Sequence, residues 1–464
     1  MYNIKKSSKI PLPANGYFMT CLIFIFFVTL SSLCINKLYA ADGVVLDSME
    51  VVSAGRGGVN ISHADNGALI HDNPAALVNM PSGKLIDLNV EFIYPEVRYE
   101  DPVDFDHTKH EVFIIPSFSF VYKKTEESRF AFGIGAFSPA GFGTEYRLEH
   151  LINRSTEAGD MPVSFGDQVY RSEASLVKIL ASTSFKVNES LSLGFSVGPA
   201  FQKIELEMPY TFQTGALSGV GVLGEMDAHD NFGLAYTFGA QYKISENTVV
   251  GFSYVSESRA TLKGEADISL PDEAPESALF NNKNAEYDIS TRFEWPRSIG
   301  MGISHKMGMS HGFSFDVLWF DWASAFDSLD IKLSDGDNAE FNAALGETIR
   351  DSFPLDWDSS FAFRFGYEYF LKGSSNNIIR GGYIYNENPV PDDTQIPLIP
   401  GMLKHTFSVG YSHKWDKWEF GIASQFMISD GEDVSSSKIV GGDFDESTVK
   451  AKAYLLFLGM KYRF

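Results

Sequence analysis

From Phe232 to Tyr242 every even position is apolar (Phe232, Leu234, Tyr236, Phe238, Ala240, Tyr242), while Gly233, Ala235, Thr237, Gly239 and Gln241 between them are small or polar. A period of two marks a β-strand with two unlike faces, because successive side chains point to opposite sides of a sheet. The same alternation runs through Ile86, Leu88, Val90, Phe92 and Tyr94, through Leu191, Leu193, Phe195 and Val197, and through Phe361, Phe363, Phe365, Tyr367 and Tyr369. It gives a cause for an unusual pairing in the composition, 39 Phe beside 40 Gly in 464 residues: one face takes large aromatics and the other small residues. Averaged over both faces, the mean hydropathy is −0.08. That value excludes a helical polytopic membrane protein, whose spans need apolar runs of about 18 residues or more, but it leaves a membrane β-barrel open.

A soluble sandwich also alternates, so the spacing of turns decides. Tight breaks fall near 124–128, 188–190, 244–247, 308–311, 372–376 and 414–417. Between them lie longer gaps near 100–110, 138–171, 207–229, 263–286, 333–355, 388–402 and 430–448. Six short turns interleaved with seven long loops make fourteen strands, with Pro296 interrupting the eighth, at about 287–307. Short turns on one side and long loops on the other characterise a transmembrane barrel, and strands in lipid must close on themselves because an open edge leaves peptide groups unpaired. In the last strand Tyr454, Leu456, Leu458, Met460, Tyr462 and Phe464 alternate with Gly459, Lys461 and Arg463, and the chain ends on an aromatic. This resembles the C-terminal signal by which bacterial outer-membrane barrels are recognised by the barrel-assembly machinery.

At the other end, Lys5, Lys6 and Lys9 precede an apolar stretch from Phe18 to about Leu30, with small residues at Ala40 and Ala41. This layout predicts a cleaved signal peptide over residues 1–40. A retained anchor is disfavoured by the short apolar core, and lipid attachment at Cys34 by the bulky Leu33 before it. The leader holds both cysteines, Cys21 and Cys34, and four of the 37 basic residues but none of the 60 acidic ones, so cleavage moves the charge from −23 to −27. An exported chain without thiols has no disulfide, no thiolate metal site and no Cys nucleophile. Its acidity argues against nucleic acid, which requires a basic face. Residues 41–84 are rich in Gly, Ala, Asn and Asp without a clear period, and the alternation begins at Leu85.

Within that aperiodic stretch, Gly55-Arg-Gly57-Gly58, Asn66-Gly67 and Asp72-Asn73-Pro74-Ala75-Ala76-Leu77 resemble the N-terminal hatch of the FadL/TodX family of outer-membrane transporters. Gly135 to Tyr146, Trp295-Pro296-Arg-Ser298, Asp316-Val-Leu-Trp319 with Trp322, and Arg380-Gly-Gly-Tyr383 with Asn388-Pro389-Val-Pro391 are similar to later family blocks, in the same order. The resemblance implies an all-β, 14-stranded antiparallel transmembrane barrel (85–464) plugged by a hatch (41–84). It further implies passive passage of long-chain fatty acids or other hydrophobic compounds across the outer membrane, among lipid and lipopolysaccharide, without a cofactor. Some relatives take aromatic hydrocarbons, so membership does not set the substrate.

The residues themselves suggest where such a ligand would be handled. From Met208 to Gly224 there is no charge, and Met208, Tyr210, Phe212, Leu217 and Leu223 offer an apolar loop surface for ligand capture, of the kind that marks a binding site when exposed; packing against neighbouring loops is the competing role. Strand parity points Lys178, Arg292, Arg364 and Arg380 into the lumen, where each could pair with a carboxylate or merely neutralise a lumen acid. In the hatch, Pro74 removes a backbone donor and restricts Asn73, favouring a fixed turn next to Ala75.

Other motifs carry less. Gly219-Val-Gly221-Val-Leu-Gly224 matches the dinucleotide fingerprint, but that motif needs a buried strand before it and a helix after it. His63, Asp65, His71 and Asp72, and separately His107 and His110, are ligand-type residues without a spacing that aims them at one metal. No Ser-His-Asp arrangement can be placed, so no catalytic residue is expected. A surface receptor or adhesin acting through its loops is the alternative, and a barrel hydrolase a third reading; a hatch separates the transporter from both.

Overall fold

The computed structural model describes residues 43–108, 112–152, 163–215, 218–229, 232–270, 280–371, 376–442 and 444–464. The expected leader, residues 1–40, lies outside them. Fourteen strands form one closed antiparallel ring. In order they are Gly83–Glu100, Phe113–Lys123, Phe130–Ile152, Val163–Lys186, Leu191–Thr211, Gly233–Ser245 and Thr248–Val255, then Ser298–Met307, His311–Phe320, Ser360–Phe370, Asn377–Asn386, His405–Trp415, Trp418–Ile428 and Ser447–Arg463. The last strand pairs with the first from Leu85↔Arg463 to Glu100↔Thr448, and Phe464 and Lys84 exchange backbone hydrogen bonds of 2.8 and 2.9 Å. The ring therefore has no free edge, as lipid requires. All six expected tight turns fall between consecutive wall strands.

The two faces separate as the alternation predicts. Phe132, Phe195, Phe238, Phe313, Phe365, Phe407, Tyr411, Tyr454 and Leu458 are exposed on the outside, whereas Ser117, Ser184, Ser196, Thr237, Gln241, Ser253 and Gln425 are buried on the inside. In Phe130–Ile152 a bulge between Phe137 and Ala140 places an extra residue in the strand at Ser138-Pro139.

The longer gaps are not simply loops. Five further strands, Gly221–His229, Ser258–Ser269, Asn284–Trp295, Ser328–Ser334 and Thr348–Pro354, extend the wall strand Leu191–Thr211 into a sheet standing above the ring at its long-loop end. The eighth strand expected at 287–307 is thus two elements, one in this upper sheet and one in the wall, parted at Pro296, whose missing donor ends a ladder.

Candidate functional site

The N-terminal residues from Val44 to Met80 are almost entirely buried, and they touch the inward face of the wall around its circumference. The approach is backbone to backbone. A β-carbon on Gly382 would lie 2.2 Å from Gly57 N, one on Gly194 2.2 Å from Ala75 N, and one on Gly410 2.7 Å from Gly55 Cα. Inward glycines therefore make room for the segment's main chain, which is the second half of the reason for the Gly content.

Local chemistry shapes the segment. The Glu50 carboxylate accepts from Val52 N (2.8 Å) and Ser53 N (2.9 Å), capping the helix Val51–Gly55. That helix stops where Gly57 and Gly58 take positive φ of 70° and 67°. Asn73 accepts from Ala75 N (3.2 Å) and donates to Ile61 O (2.7 Å), and Pro74 opens the 3-10 turn Pro74–Asn79.

Buried charges fasten the segment to the wall. Arg56, fully enclosed, donates to both Asp65 oxygens (2.6 and 3.0 Å), to Asn60 Oδ1 (2.8 Å) and to Val59 O (2.6 Å), and lies 3.6 Å from Glu368. Glu50 pairs with Lys461 at 2.9 Å. Asp316 accepts from Asn60 N (2.8 Å) and Ile61 N (3.1 Å). At the bulge the segment completes the wall: Leu46 N donates to Pro139 O (2.8 Å) and Gly141 N to Val44 O (3.0 Å), so the main chain freed by the extra residue is satisfied from inside. Burial pushes the His63 imidazole down to about 4, Arg56 adding to the effect and Asp65 opposing it.

The upper sheet curls around a second interior of the opposite character. Leu206, Met208, Met226, Ile268, Ile289 and Leu333, among others, line an apolar chamber. Its first and last strands meet without a backbone ladder. Instead the buried Asp351 accepts from Tyr210 Oη (2.6 Å), Gln213 N (2.7 Å), Thr214 N (2.8 Å) and Thr214 Oγ1 (2.6 Å), while Tyr210 packs on Phe353 at 6.1 Å. A cluster of Trp295, Trp322, Phe326 and Trp357, with ring centroids 4.6 to 6.3 Å apart, joins the two interiors: Trp357 follows the lining residue Leu355, and Trp322 lies against Gly43.

A closed ring of fourteen strands, filled by its N-terminal segment and roofed by an apolar chamber, has close counterparts. The profile of the family described as "Outer membrane protein transport protein (OMPP1/FadL/TodX)" matches residues 32–464. The chain belongs to this family. A putative outer membrane protein of Neisseria meningitidis serogroup B is 22% identical over 91% of this chain and 94% of its own length. Among solved structures, a Pseudomonas aeruginosa FadL homologue superposes with a TM-score of 0.70 at 17% identity, over 92% of this chain and 100% of that one. The Ralstonia pickettii toluene transporter TbuX gives 0.68 at 18%, over 90% and 99%, and the Pseudomonas putida toluene transporter TodX 0.69 at 18%, over 90% and 99%. At these identities the likeness establishes the fold.

Against this FadL/TodX-type frame the expected site residues divide. Gly55, Gly57, Gly58, Asn73, Pro74 and Ala75 all lie in the lumen-filling segment. Met208, Tyr210 and Phe212 line the chamber, so this apolar surface is enclosed instead of exposed on a loop; Leu223 is not on the lining, being one position out of phase with Val222 and Gly224, and Leu217 lies outside the described residues. Of the cations, Arg364 donates to Asp47 O (2.9 Å) and Gly58 O (3.2 Å), and Arg380 to Glu368 (2.8 Å) and Ser412 (2.8 Å). Arg292 does not face the lumen: its strand belongs to the upper sheet, and its side chain is 59% exposed. Lys178 is buried beside the bulge, opposite Phe137, and its side chain makes no hydrogen bond or ion pair among the described residues. The fingerprint-like glycines run into the strand Gly221–His229, with no helix. Asp65 pairs with Arg56, and His71 with Asp72 at 2.9 Å. His107 lies 3.9 Å from Asp106, and His110 is outside the described residues. Arg56, Glu50, Asp316 and Asp351 were not singled out, because the groups through which they tie separate parts of the chain, Glu368, Lys461, Asn60 and Tyr210, are distant in sequence.

Proposed function

We propose that this outer-membrane protein takes up hydrophobic compounds, long-chain fatty acids among them, passively. The chamber carries the reading: an apolar interior at the long-loop end, above a barrel whose inner face carries buried serines, glutamines and charges, gives an apolar solute a place to leave water before it meets the barrel. Chamber, aromatic cluster and bulge lie in series, offering an apolar path past the N-terminal segment. Residues 41–84 serve as the hatch and 85–464 as the barrel, exported by a leader cleaved after residue 40, with the C-terminal strand read by the assembly machinery and the aromatic outer face seated in lipid and lipopolysaccharide. Of the four cations, Lys178 suits a ligand carboxylate, since Arg364 and Arg380 are engaged by the protein itself.

The test is native mass spectrometry of the purified protein for co-purified hydrophobic molecules, followed by uptake assays in a deletion strain. Bound fatty acid or hydrocarbon and reduced uptake are expected; no bound ligand with unchanged uptake would sink the proposal. Deleting 41–80 should leave a leaky or unstable barrel, read as sensitivity to large hydrophilic antibiotics, and unchanged permeability would remove the hatch role.

A further inference from the structure

The chamber's lining also bears on what kind of ligand it takes, a question that rests on the uptake reading above. Among the described residues, no Lys, Arg or His lines it. Three acids do: Glu225, Asp267 and Asp351. Glu225 and Asp267 are exposed residues alternating with the buried Met226, Ala266 and Ile268, so they stand at its margin, and Glu225 lies 3.6 Å from Arg171. Asp351 is buried, and its two oxygens already accept from Tyr210, Gln213 and Thr214. Lys178 belongs to the wall and is absent from the lining.

An ionised carboxylate carried into this space would find neither a cation nor a free donor, and it would approach a fixed negative charge. Leaving a charge unpaired in an apolar interior costs far more than a short alkyl tail recovers by burial. We infer that the chamber is a site for uncharged hydrophobic molecules and that Asp351 turns anionic amphiphiles away. A fatty acid is accepted there as its neutral acid or ester, and it ionises only beyond the chamber, where Lys178 lies.

A pair of ligands differing only in charge tests this. With the protein in lipid nanodiscs and empty nanodiscs as the blank, the neutral fluorophore N-phenyl-1-naphthylamine is displaced by methyl decanoate or by decanoate at about pH 8, where a carboxylic acid is ionised. The ester is expected to bind at least about tenfold more tightly than the anion. Met226→Trp, or the milder Leu333→Phe, fills the chamber and is expected to abolish displacement by the ester, with heat-modifiable gel mobility reporting that the barrel is intact. Equal displacement by ester and anion overturns the inference, as does ester displacement unchanged in both filled variants. Failure of either compound to displace, together with wild-type uptake in a deletion strain, would instead strike the uptake reading itself.

Discussion

The protein has two interiors built on opposite principles. In the lumen, the N-terminal segment is held by buried ion pairs and by hydrogen bonds from wall side chains to its backbone, with Arg56 enclosed among Asp65, Asn60 and Glu368. In the upper chamber, apolar side chains face one another, and one carboxylate, Asp351, clasps the seam. A satisfied polar network specifies one arrangement and tolerates little change, because each lost partner leaves another group stranded. Apolar packing is non-directional and can open and reclose. The lumen is thus fitted for holding and the chamber for exchanging.

The contrast can be broken most forcefully at Arg56. Arg56→Met strips Asp65, Asn60 and Val59 of their charged donor, and because the Asp65 side chain is 38% exposed and Glu368 keeps Arg380, the expected loss is that of charge-assisted hydrogen bonds, about 1.5–3 kcal/mol; urea titration in vesicles should show it, and a loss no greater than that of a surface arginine would refute the holding role. In the chamber, Asp351→Ala frees three loop donors, for which about 1–3 kcal/mol is expected, confined to the upper sheet: limited proteolysis near 211–215 should accelerate while the barrel's unfolding stays put. The neighbouring glycines 381 and 382 sharpen the steric side. Gly382→Ala drives a β-carbon against Gly57 N, whereas the nearest atom to one on Gly381 is 3.9 Å away. The first should lose about 1–3 kcal/mol by overpacking and the second almost nothing. The smallest effect concerns pH. His63 binds its proton less readily folded than unfolded, so its contribution to stability is intact above about 6.5 and is lost as pH falls toward its folded value of about 4. His63→Gln should flatten stability over that interval, and an unchanged profile would show that the residue does not titrate with unfolding.

Much of the wall was legible because lipid imposes a strict code: aromatics out, small or polar residues in, and tight turns at one end. The upper sheet obeys the same period of two with a different outer solvent, and it escaped for that reason. In Ala266-Asp267-Ile268 and Ala285-Glu286 the outward positions are acidic, not aromatic, which reads as loop when lipid is the assumed neighbour, while the residues from Tyr287 on were drawn into the eighth wall strand. Arg292 was misplaced by the same assumption, its parity being counted along a strand that stands in water. The segment Gly55–Ala75 could be marked by its glycines and Asn-Pro step, but the tie from Arg56 to the wall gave no local sign, since Glu368 lies more than 300 positions away. Asp351 was equally silent, because a single acid between Arg350 and Ser352 becomes a clasp only when the two ends of a curled sheet meet.

The pairing of the first wall strand with the last has a kinetic corollary. Its register joins Leu85 to Arg463, a contact of very long sequence separation, and such contacts are slow to form because the intervening chain must first be ordered. The residues that occupy the lumen immediately precede that first strand. Closure is therefore the step that traps them: the interior is wrapped as the cylinder shuts, and a chain arrested before its final strand docks would leave the segment unenclosed and the edges of the first and thirteenth strands bare to pair with another copy.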